Sequence, residues 1–233
     1  MKKRSISVFL PTRKGSQRVK HKNTRTFANI EGGLLELKLS QLIKTINIDE
    51  VVLSSNDEKS LSIGDRFNKL DSRVKVFERP DELALSSTDL IDLVKYVPTI
   101  VNSEHILWTH VTSPFFDESD YAKIIENYFV SLEENYDSLM SVKKFNNYLW
   151  DKSEKGLINK LDDRKWPQTQ DLKELYEIDS TVFIANRNIY KNDGDRIGSN
   201  PKLYISEGLK SFDVDWEQDF ELAQYIYMLK QKI

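Results

Sequence analysis

The amino-acid sequence predicts an α/β fold with a mostly parallel sheet. Signals typical of strands alternate with signals typical of helices through residues 1–145, which is the pattern of crossover units that pack helices on a parallel sheet. The 233 residues are enough to bury a sizeable core, and we expect residues 1–233 to form one domain. Because 39% of the residues are hydrophobic, 30% charged and 11% aromatic, a well-packed globular interior is expected.

The composition also excludes several classes of function. A net charge of −3 argues against a surface that holds nucleic acid through its phosphates. The absence of cysteine excludes disulfides, thiolate catalysis and thiolate zinc sites. The first apolar run is too short and too interrupted for a signal peptide or a membrane span. We therefore expect a cytoplasmic protein that binds neither nucleic acid nor membrane.

The first predicted elements are a strand, a helix and a second strand. The strand lies at residues 5–10, and after a polar loop a run of leucines at helical spacing supplies a broad apolar face. The second strand, at residues 51–53, precedes Asn56 and Asp57. Either side chain can cap a helix that continues to about Phe67.

The middle of the chain continues this alternation. A short third strand is predicted at residues 74–77, and residues 86–89 contain the cap of the next helix. A buried strand follows at residues 105–111 and stops at the Thr-Ser-Pro sequence of residues 112–114. An amphipathic helix is predicted from residue 117 to about residue 132.

The periodicity weakens in the second half of the chain. After a fifth strand at residues 138–142, residues 143–178 are rich in Asn, Asp and Lys, with tryptophans among polar residues. This composition indicates an excursion from the main sheet, interpreted as a hairpin used for oligomerisation. Regular structure resumes with a strand at residues 181–185, and a last helix is predicted from about Glu217.

A basic loop follows the first predicted strand. Arg13, Lys22 and three further cations surround the turn residues Gly15 and Ser16. Ligands of open α/β sheets bind outside the carboxyl ends of the strands, which is where this loop lies. Backbone amides near Gly15 can cradle phosphate oxygens, while Arg13 and Lys22 can neutralise their charge. The alternative is a solvated basic loop, and the Walker pattern of P-loop proteins is absent.

Two further segments carry candidate chemistry. Asp213 and Asp215 are two residues apart, so an extended backbone would place both carboxylates on one face, where they suit Mg²⁺. The alternative is acidic residues before a helix N-terminus, where negative charge is favoured. His110, Thr112 and Ser113 end a strand at the same carboxyl edge. Thr112 and Ser113 are the better candidates for binding, although both also fit a helix cap around the following proline.

Taken together, these segments resemble the CMP-sugar synthetases, the cytidylyltransferase family that includes acylneuraminate cytidylyltransferase and enzymes that activate related 3-deoxy sugar acids. Four segments carry the resemblance, in matching order and over nearly the whole chain. They are the phosphate loop at residues 10–23, Arg-Pro-Asp-Glu-Leu-Ala at residues 79–84, Thr-Ser-Pro at residues 112–114 and Asp-Val-Asp at residues 213–215.

The resemblance implies a fold, a reaction and a metal. The implied fold is a Rossmann-like three-layer sandwich, joined as a homodimer through an inserted lobe at residues 143–178. In the implied reaction the acceptor's oxygen attacks the α-phosphorus of CTP and pyrophosphate leaves. Asp213 and Asp215 would hold Mg²⁺ or Mn²⁺, and Arg13, Lys22 and Asp215 are the implied catalytic residues.

The resemblance also implies binding residues on both sides of the reacting phosphorus. The implied nucleotide-binding residues are Leu10, Arg13, Gly15, Ser16, Lys22, Asn23, Arg79, Ser86 and Ser87. The implied substrate-binding residues are His110, Thr112, Ser113 and Asp179.

The chain departs from the family pattern on the acceptor side. His110 stands where the family usually has Gln, and Phe116 stands where it has Arg. Asp179 and Ser180 replace the usual Asn-Gly, and Thr169 lies where relatives place an Arg suited to a sugar carboxylate. These departures weaken a strict sialic acid assignment.

The leading hypothesis is therefore a cytidylyltransferase that couples CTP to an N-acylneuraminate or related nonulosonic acid, giving a CMP-sugar and pyrophosphate. A deoxy-octulosonic acid or a phosphonate is the alternative acceptor. A nucleotide-sugar glycosyltransferase is disfavoured because its aspartate pair is expected in mid-chain, whereas here the pair is near the C-terminal end. A catalytically silent nucleotide-binding homologue is the alternative outside the enzyme class.

Overall fold

The computed structural model describes residues 4–85 and 87–231. Its strands are β1 Ile6–Pro11, β2 Glu50–Ser55, β3 Val74–Glu78, β4 His105–Thr109, β5 Ser138–Phe145, β6 Trp150–Asp151, β7 Gly156–Leu157, β8 Leu175–Asn186 and β9 Pro201–Ile205. Its helices are α1 Gly33–Lys44, α2 Glu58–Leu70, α3 Leu90–Ile100, α4 Glu118–Glu133, α5 Arg187–Asn192 and α6 Glu217–Lys230. Within the described ranges, no helix combines the length and the apolar character needed to cross a bilayer.

Seven strands form one sheet in the order β3-β2-β1-β4-β8-β5-β9. β1 pairs in parallel with β2 and with β4, and β2 pairs in parallel with β3. β8 runs antiparallel between β4 and β5, and β9 pairs in parallel with β5. Only one strand of this sheet therefore runs against the others, which confirms the predicted α/β fold with a mostly parallel sheet.

Helices cover both faces of the sheet. Neighbouring residues of β1 point to opposite faces, so Leu10 joins a core that includes Phe220 of α6, whereas Phe9 packs with Trp108 and with Val97 of α3. Strands that are buried on both faces read as continuous hydrophobic runs, which explains why β1 and β4 were recognisable in the sequence. The result is a helix–sheet–helix arrangement of three layers.

Aspartate side chains cap the N-termini of α2, α3 and α4. The carboxylate of Asp57 accepts a hydrogen bond from the Ser60 amide at 3.0 Å, so the structure selects Asp57 over Asn56 as the cap of α2. Asp89 caps α3 by accepting from the Ile91 amide at 3.1 Å. Asp117 caps α4 in a reciprocal capping box. Each cap fixes where the chain turns back from the carboxyl edge of the sheet.

The excursion predicted at residues 143–178 begins and ends within the main sheet. Its first residues continue β5 and its last belong to β8, with Lys143 opposite Glu177. Between them lie the β6–β7 ribbon and a single 3₁₀ turn at Thr169–Asp171. The second half of the chain also contains β9 and α5, two short elements that the sequence pattern did not predict.

Candidate active site

A cavity of about 480 Å³ opens at the carboxyl ends of β1 and β4. Because these strands pair in parallel, the loops that follow them meet over the same edge of the sheet. Leu90 and Leu93 from α3 form an apolar side of the cavity. Seven of the residues singled out in the sequence line it together: Arg13, Ser16, Lys22, Asn23, Arg79, His110 and Thr112.

The basic loop between β1 and α1 is held in a defined shape. The Lys14 amide donates to Asn56 Oδ1 at 3.0 Å, which ties the loop to the end of β2. Gly15 has φ +87°, a left-handed backbone conformation that side chains rarely adopt. A second cavity of about 290 Å³ adjoins the loop and shares Arg13 and Lys22 with the first. The predicted turn is therefore one that requires glycine.

The main cavity is lined by cations and by no carboxylate. Arg13, Arg18, Lys22 and Arg79 all contribute to its described lining, which contains neither Asp nor Glu. Arg79 is buried and donates to the carbonyl oxygen of Thr12. Burial lowers the pKa of Arg79 to about 10, so its guanidinium remains charged at neutral pH. Concentrated positive charge in a concave, partly desolvated site suits a polyanionic ligand.

The aspartate pair lies beside this cavity. The Val214 amide donates to the Thr112 carbonyl at 2.9 Å, which places the aspartate segment against the turn after β4. Asp215 forms an ion pair with Arg18 at 3.1 Å and another with Lys22 at 3.4 Å. Lys22 also donates to the Val214 carbonyl at 2.8 Å. The predicted phosphate loop and the predicted metal-binding segment are thus joined directly.

Asp213 and Asp215 are two carboxylates that could hold a Mg²⁺ ion together with phosphate oxygens. Mg²⁺ in proteins commonly takes one or two carboxylates and completes its coordination with phosphate oxygens and water. Burial raises the pKa of Asp213, a hydrogen bond with Thr112 lowers it, and the negative charge of Asp215 raises it. The net effect is a raised pKa. A divalent cation would offset the effects of burial and of the Asp215 charge. In the described ranges no three acidic or histidine side chains group together as a metal cage, so the phosphates would have to contribute ligands.

His110 lies at the wall of the cavity, next to Trp108. The two rings are 6.3 Å apart. Burial, together with the positive charges of Arg196 and Lys22, lowers the pKa of His110 to about 3. His110 is therefore neutral at physiological pH and offers one hydrogen-bond donor and one acceptor rather than a positive charge.

A buried lysine holds the turn that follows β4. Lys38 Nζ, from α1, donates to the carbonyl oxygens of Ser113 and Phe116 at 2.8 and 3.0 Å. The ammonium group also lies 4.9 Å from the ring centroid of Tyr121. Thr112 directly precedes this turn, and its carbonyl oxygen accepts from the Val214 amide. By holding the turn, Lys38 therefore also fixes the position of Thr112 at the cavity.

Other predicted residues point into the protein. The Leu10 side chain belongs to the core, which leaves only its backbone for a nucleotide. Ser113 is buried and donates to the Thr181 hydroxyl at 3.2 Å. Asp179 is also buried, and one of its oxygens accepts from Ser141 and from the Thr181 amide. Its second oxygen has no hydrogen-bond partner among the described residues.

Ser87, one of two serines that the family resemblance implies in nucleotide binding, lies shortly before the first residue of α3. Ser87 is exposed and does not line the main cavity, whereas Leu90 and Leu93 of the same region do. Ser86 lies outside the described residues. The assignment of these serines to the nucleotide stays a prediction.

Several residues in or beside the cavity were absent from the sequence-based set, among them Arg18, Trp108 and Arg196. Arg18 lies in the basic loop, and its position among several cations was the signal that could have selected it. Trp108 lies at the end of the apolar run that became β4. Arg196 stacks on Trp108 and Phe183 from a loop without any recognisable motif, so no sequence signal pointed to it.

Comparison with known proteins shows which family the chain belongs to. A family model described as cytidylyltransferase matches residues 7–232. N-acylneuraminate cytidylyltransferase from Escherichia coli O18:K1:H7 is 24% identical over 97% of this chain and 53% of its own length. The chain thus spans about half the length of that relative. Pseudaminic acid cytidylyltransferase from Campylobacter jejuni serotype O:2 is 22% identical over 96% of this chain and 97% of its own.

Solved structures share the fold. CMP:2-keto-3-deoxy-manno-octonic acid synthetase, in a complex with CTP, matches with a TM-score of 0.66 at 10% identity, over 98% of this chain and 100% of that one. 4-Diphosphocytidyl-2C-methyl-D-erythritol synthase from Anaerococcus prevotii matches with a TM-score of 0.62 at 12% identity, over 96% and 98%. At these identities the likeness concerns the architecture alone.

Proposed function

Because the chain belongs to the cytidylyltransferase family, among the CMP-sugar synthetases and hence among CTP-dependent nucleotidyltransferases, we propose that it transfers CMP from CTP to a sugar acid. The observation that carries this proposal is the cationic cavity beside the aspartate pair. Arg13, Arg18, Lys22 and Arg79 supply its charge, and no carboxylate lines it. Such a cavity suits the triphosphate of CTP.

The reaction is a displacement at the α-phosphorus. A hydroxyl of the acceptor loses its proton to solvent, and its oxygen forms the new bond to the α-phosphorus. The bond from the α-phosphorus to the oxygen that bridges it to the β-phosphate breaks, and pyrophosphate leaves with the electron pair. Arg13 and Lys22 would stabilise the charge that develops on the transferred and leaving phosphates. When bound at Asp213 and Asp215, Mg²⁺ or Mn²⁺ would neutralise and orient phosphate oxygens.

The ion pairs of Asp215 would change partners during binding. Arg18 and Lys22 are engaged by this carboxylate, and both also line the triphosphate cavity. Phosphate oxygens would compete for these two cations, which would release Asp215 for the metal. The chain therefore couples its phosphate loop to its metal-binding segment through shared cations.

The acceptor is proposed to be an N-acylneuraminate or another nonulosonic acid. Relatives named for N-acylneuraminate and for pseudaminic acid match more than nine-tenths of the chain, which supports this class of acceptor. A deoxy-octulosonic acid is the second candidate, prompted by the fold shared with a synthetase for such an acid. His110 would face the acceptor as a neutral hydrogen-bonding group.

Pyrophosphate release tests the proposal. Purified protein, CTP and Mg²⁺ are incubated with a panel of sialic, pseudaminic, legionaminic, deoxy-octulosonic and phosphonate acceptors. We expect release with at least one nonulosonic acid, and none when either CTP or the acceptor is left out. No release with any acceptor, combined with CTP binding that is unaffected by Mg²⁺ and by Asp215→Ala, would instead identify a silent nucleotide-binding homologue.

A further inference from the structure

Arg196 carries a guanidinium whose charge is unpaired within the part of the chain that the structure describes. It lies in the loop between α5 and β9, with its Cζ 3.7 Å from the ring centroid of Phe183 and 5.2 Å from that of Trp108. Among the described residues, its guanidinium forms neither an ion pair nor a hydrogen bond. The neighbouring Asp195 accepts instead from the Arg196 backbone amide at 2.6 Å.

This guanidinium packs against Trp108, a residue of the cavity wall, although Arg196 itself is not among the lining residues. Trp108 lines the main cavity, and Arg196 also lies close enough to His110, another lining residue, to lower its pKa. Phe183 is on β8 and Trp108 on β4, whereas the phosphate loop follows β1. Strands in a sheet are spaced about 4.8 Å apart, so Arg196 is displaced by one to two strand spacings from the residues that follow β1.

The geometry favours a planar anion as its ligand. Stacking on two aromatic rings restrains the guanidinium plane while leaving its edge free for paired hydrogen bonds. A carboxylate matches that edge with two parallel bonds. The cavity proposed for the triphosphate is already lined by Arg13, Arg18, Lys22 and Arg79. The remaining anionic group of the reaction is the carboxylate of the acceptor.

We propose that Arg196 binds the carboxylate of the sugar acid and thereby selects acidic acceptors. The inference rests on the proposed function and adds to it the residue that recognises the acid. It also explains how the chain could bind a carboxylate although Thr169 stands where relatives place an Arg. Thr169 is uncharged and lies on the separate 3₁₀ turn between β7 and β8. In this chain the cation that recognises the acceptor comes from the loop after α5.

The test compares Arg196→Gln with the wild type on a sugar acid that the wild type converts, and on its methyl ester. In Arg196→Gln we expect the acceptor KM to rise about tenfold to a hundredfold, the loss typical of one charge-assisted contact. The preference for acid over ester should fall by a similar factor. The Kd for CTP, measured by calorimetry, should stay within about twofold. Arg196→Lys should give an intermediate acceptor KM, because it keeps the charge but not the planar fork.

Arg187→Gln is the matched control, since Arg187 is also half-buried and lies on the adjoining helix α5, but its guanidinium donates to the Pro98 carbonyl. It should leave the acid-to-ester preference unchanged. If Arg196→Gln keeps the wild-type acceptor KM and preference, Arg196 does not bind the carboxylate although the enzyme is a sugar-acid cytidylyltransferase. If the wild type releases no pyrophosphate with any sugar acid, the proposed function fails and the role of Arg196 fails with it.

Discussion

At the scale of single residues, the cations of the cavity divide into two kinds. Arg18 and Lys22 are held by Asp215, and Arg79 donates to a backbone carbonyl. Arg13 lines the cavity without an ion pair in the described ranges, and its carbonyl accepts from Asn23 at 3.4 Å. Its guanidinium is therefore the one most directly available to a phosphate. This difference makes Arg13 the best single test of the phosphate site.

Arg13→Gln should lower kcat by about 10²-fold or more, because one preorganised charged contact to the transition state is removed. The measurement is the initial rate of pyrophosphate release at saturating CTP and acceptor. Arg66→Gln is the control, since Arg66 is exposed on α2 and pairs with Glu36 far from the cavity. Equal rates for Arg13→Gln and the control would remove Arg13 from the catalytic set.

His110→Gln should reduce the dependence of stability on pH. The pKa of His110 is about 3 in the folded chain, against about 6.5 in an unfolded one. The unfolded state therefore binds the extra proton between these values, and stability is lost as pH falls through that window. Between pH 7.5 and 4.5 the wild type should lose about 2 kcal/mol more unfolding free energy than the variant.

Urea unfolding at several pH values measures this difference. The other two histidines are common to both proteins and cancel in the comparison. The variant should also keep its turnover, because a histidine that stays neutral acts only through hydrogen bonds that Gln can replace. If the unfolding free energies of the wild type and the variant changed equally with pH, His110 would not be buried in its neutral form.

The residues around the cavity that the sequence singled out lie in short segments, whereas Arg196 became visible only in the structure, for a physical reason. Arg13, Lys22 and Asp215 lie in short contiguous segments whose spacing carries their chemistry, and the fold brings these segments together. The contacts of Arg196 with Trp108 and Phe183 depend on tertiary packing alone. No local pattern encodes such a contact, so it became visible only in the structure.

At the scale of elements, prediction succeeded where a pattern was long and fully buried. The strands β1, β2 and β4 are buried along nearly their whole length, and their hydrophobic runs marked them. β9 is a five-residue edge strand with only partial burial, and α5 has six residues. Neither is long enough to show a clear period. Both also follow the excursion, where the sequence gives few signals for pairing.

The contact between α1 and the turn after β4 yields a prediction at this scale. Lys38→Met should leave the carbonyls of Ser113 and Phe116 without a donor, at a cost of about 1–3 kcal/mol for each buried group. The turn would then shift and carry Thr112 and the aspartate segment with it. We expect both a lower unfolding free energy and a weaker dependence of CTP binding on Mg²⁺.

Lys44→Met provides the matched control for this variant. Lys44 is in the last turn of the same helix but is exposed. Its replacement should change the unfolding free energy by less than about 0.5 kcal/mol and leave CTP binding intact. A Lys38→Met protein with the stability of this control would show that the two hydrogen bonds do not hold the turn.

At the scale of the whole molecule, large exposed apolar side chains gather on the excursion between β5 and β8. Trp150 and Trp166 are 60% and 61% exposed, and Leu161 is 68% exposed. The rings of Tyr148 and Trp166 pack edge to face, with their centroids 5.7 Å apart. These two side chains therefore hold each other in place on the apolar surface. Clustered exposed apolar groups commonly mark an association surface. The homodimer implied by the family resemblance would use this surface.

Leu161→Glu should therefore convert a dimer into a monomer. The wild type is expected to sediment at twice its chain mass of 27.2 kDa, and the variant at the chain mass itself. A buried, unpaired carboxylate at the interface would cost more than the apolar contact that it replaces. Leu70→Glu is the matched control, because Leu70 is 75% exposed but lies at the end of α2. A wild type that is monomeric at micromolar concentration, or a Leu161→Glu variant that remains dimeric like the control, would place the association surface elsewhere or remove it.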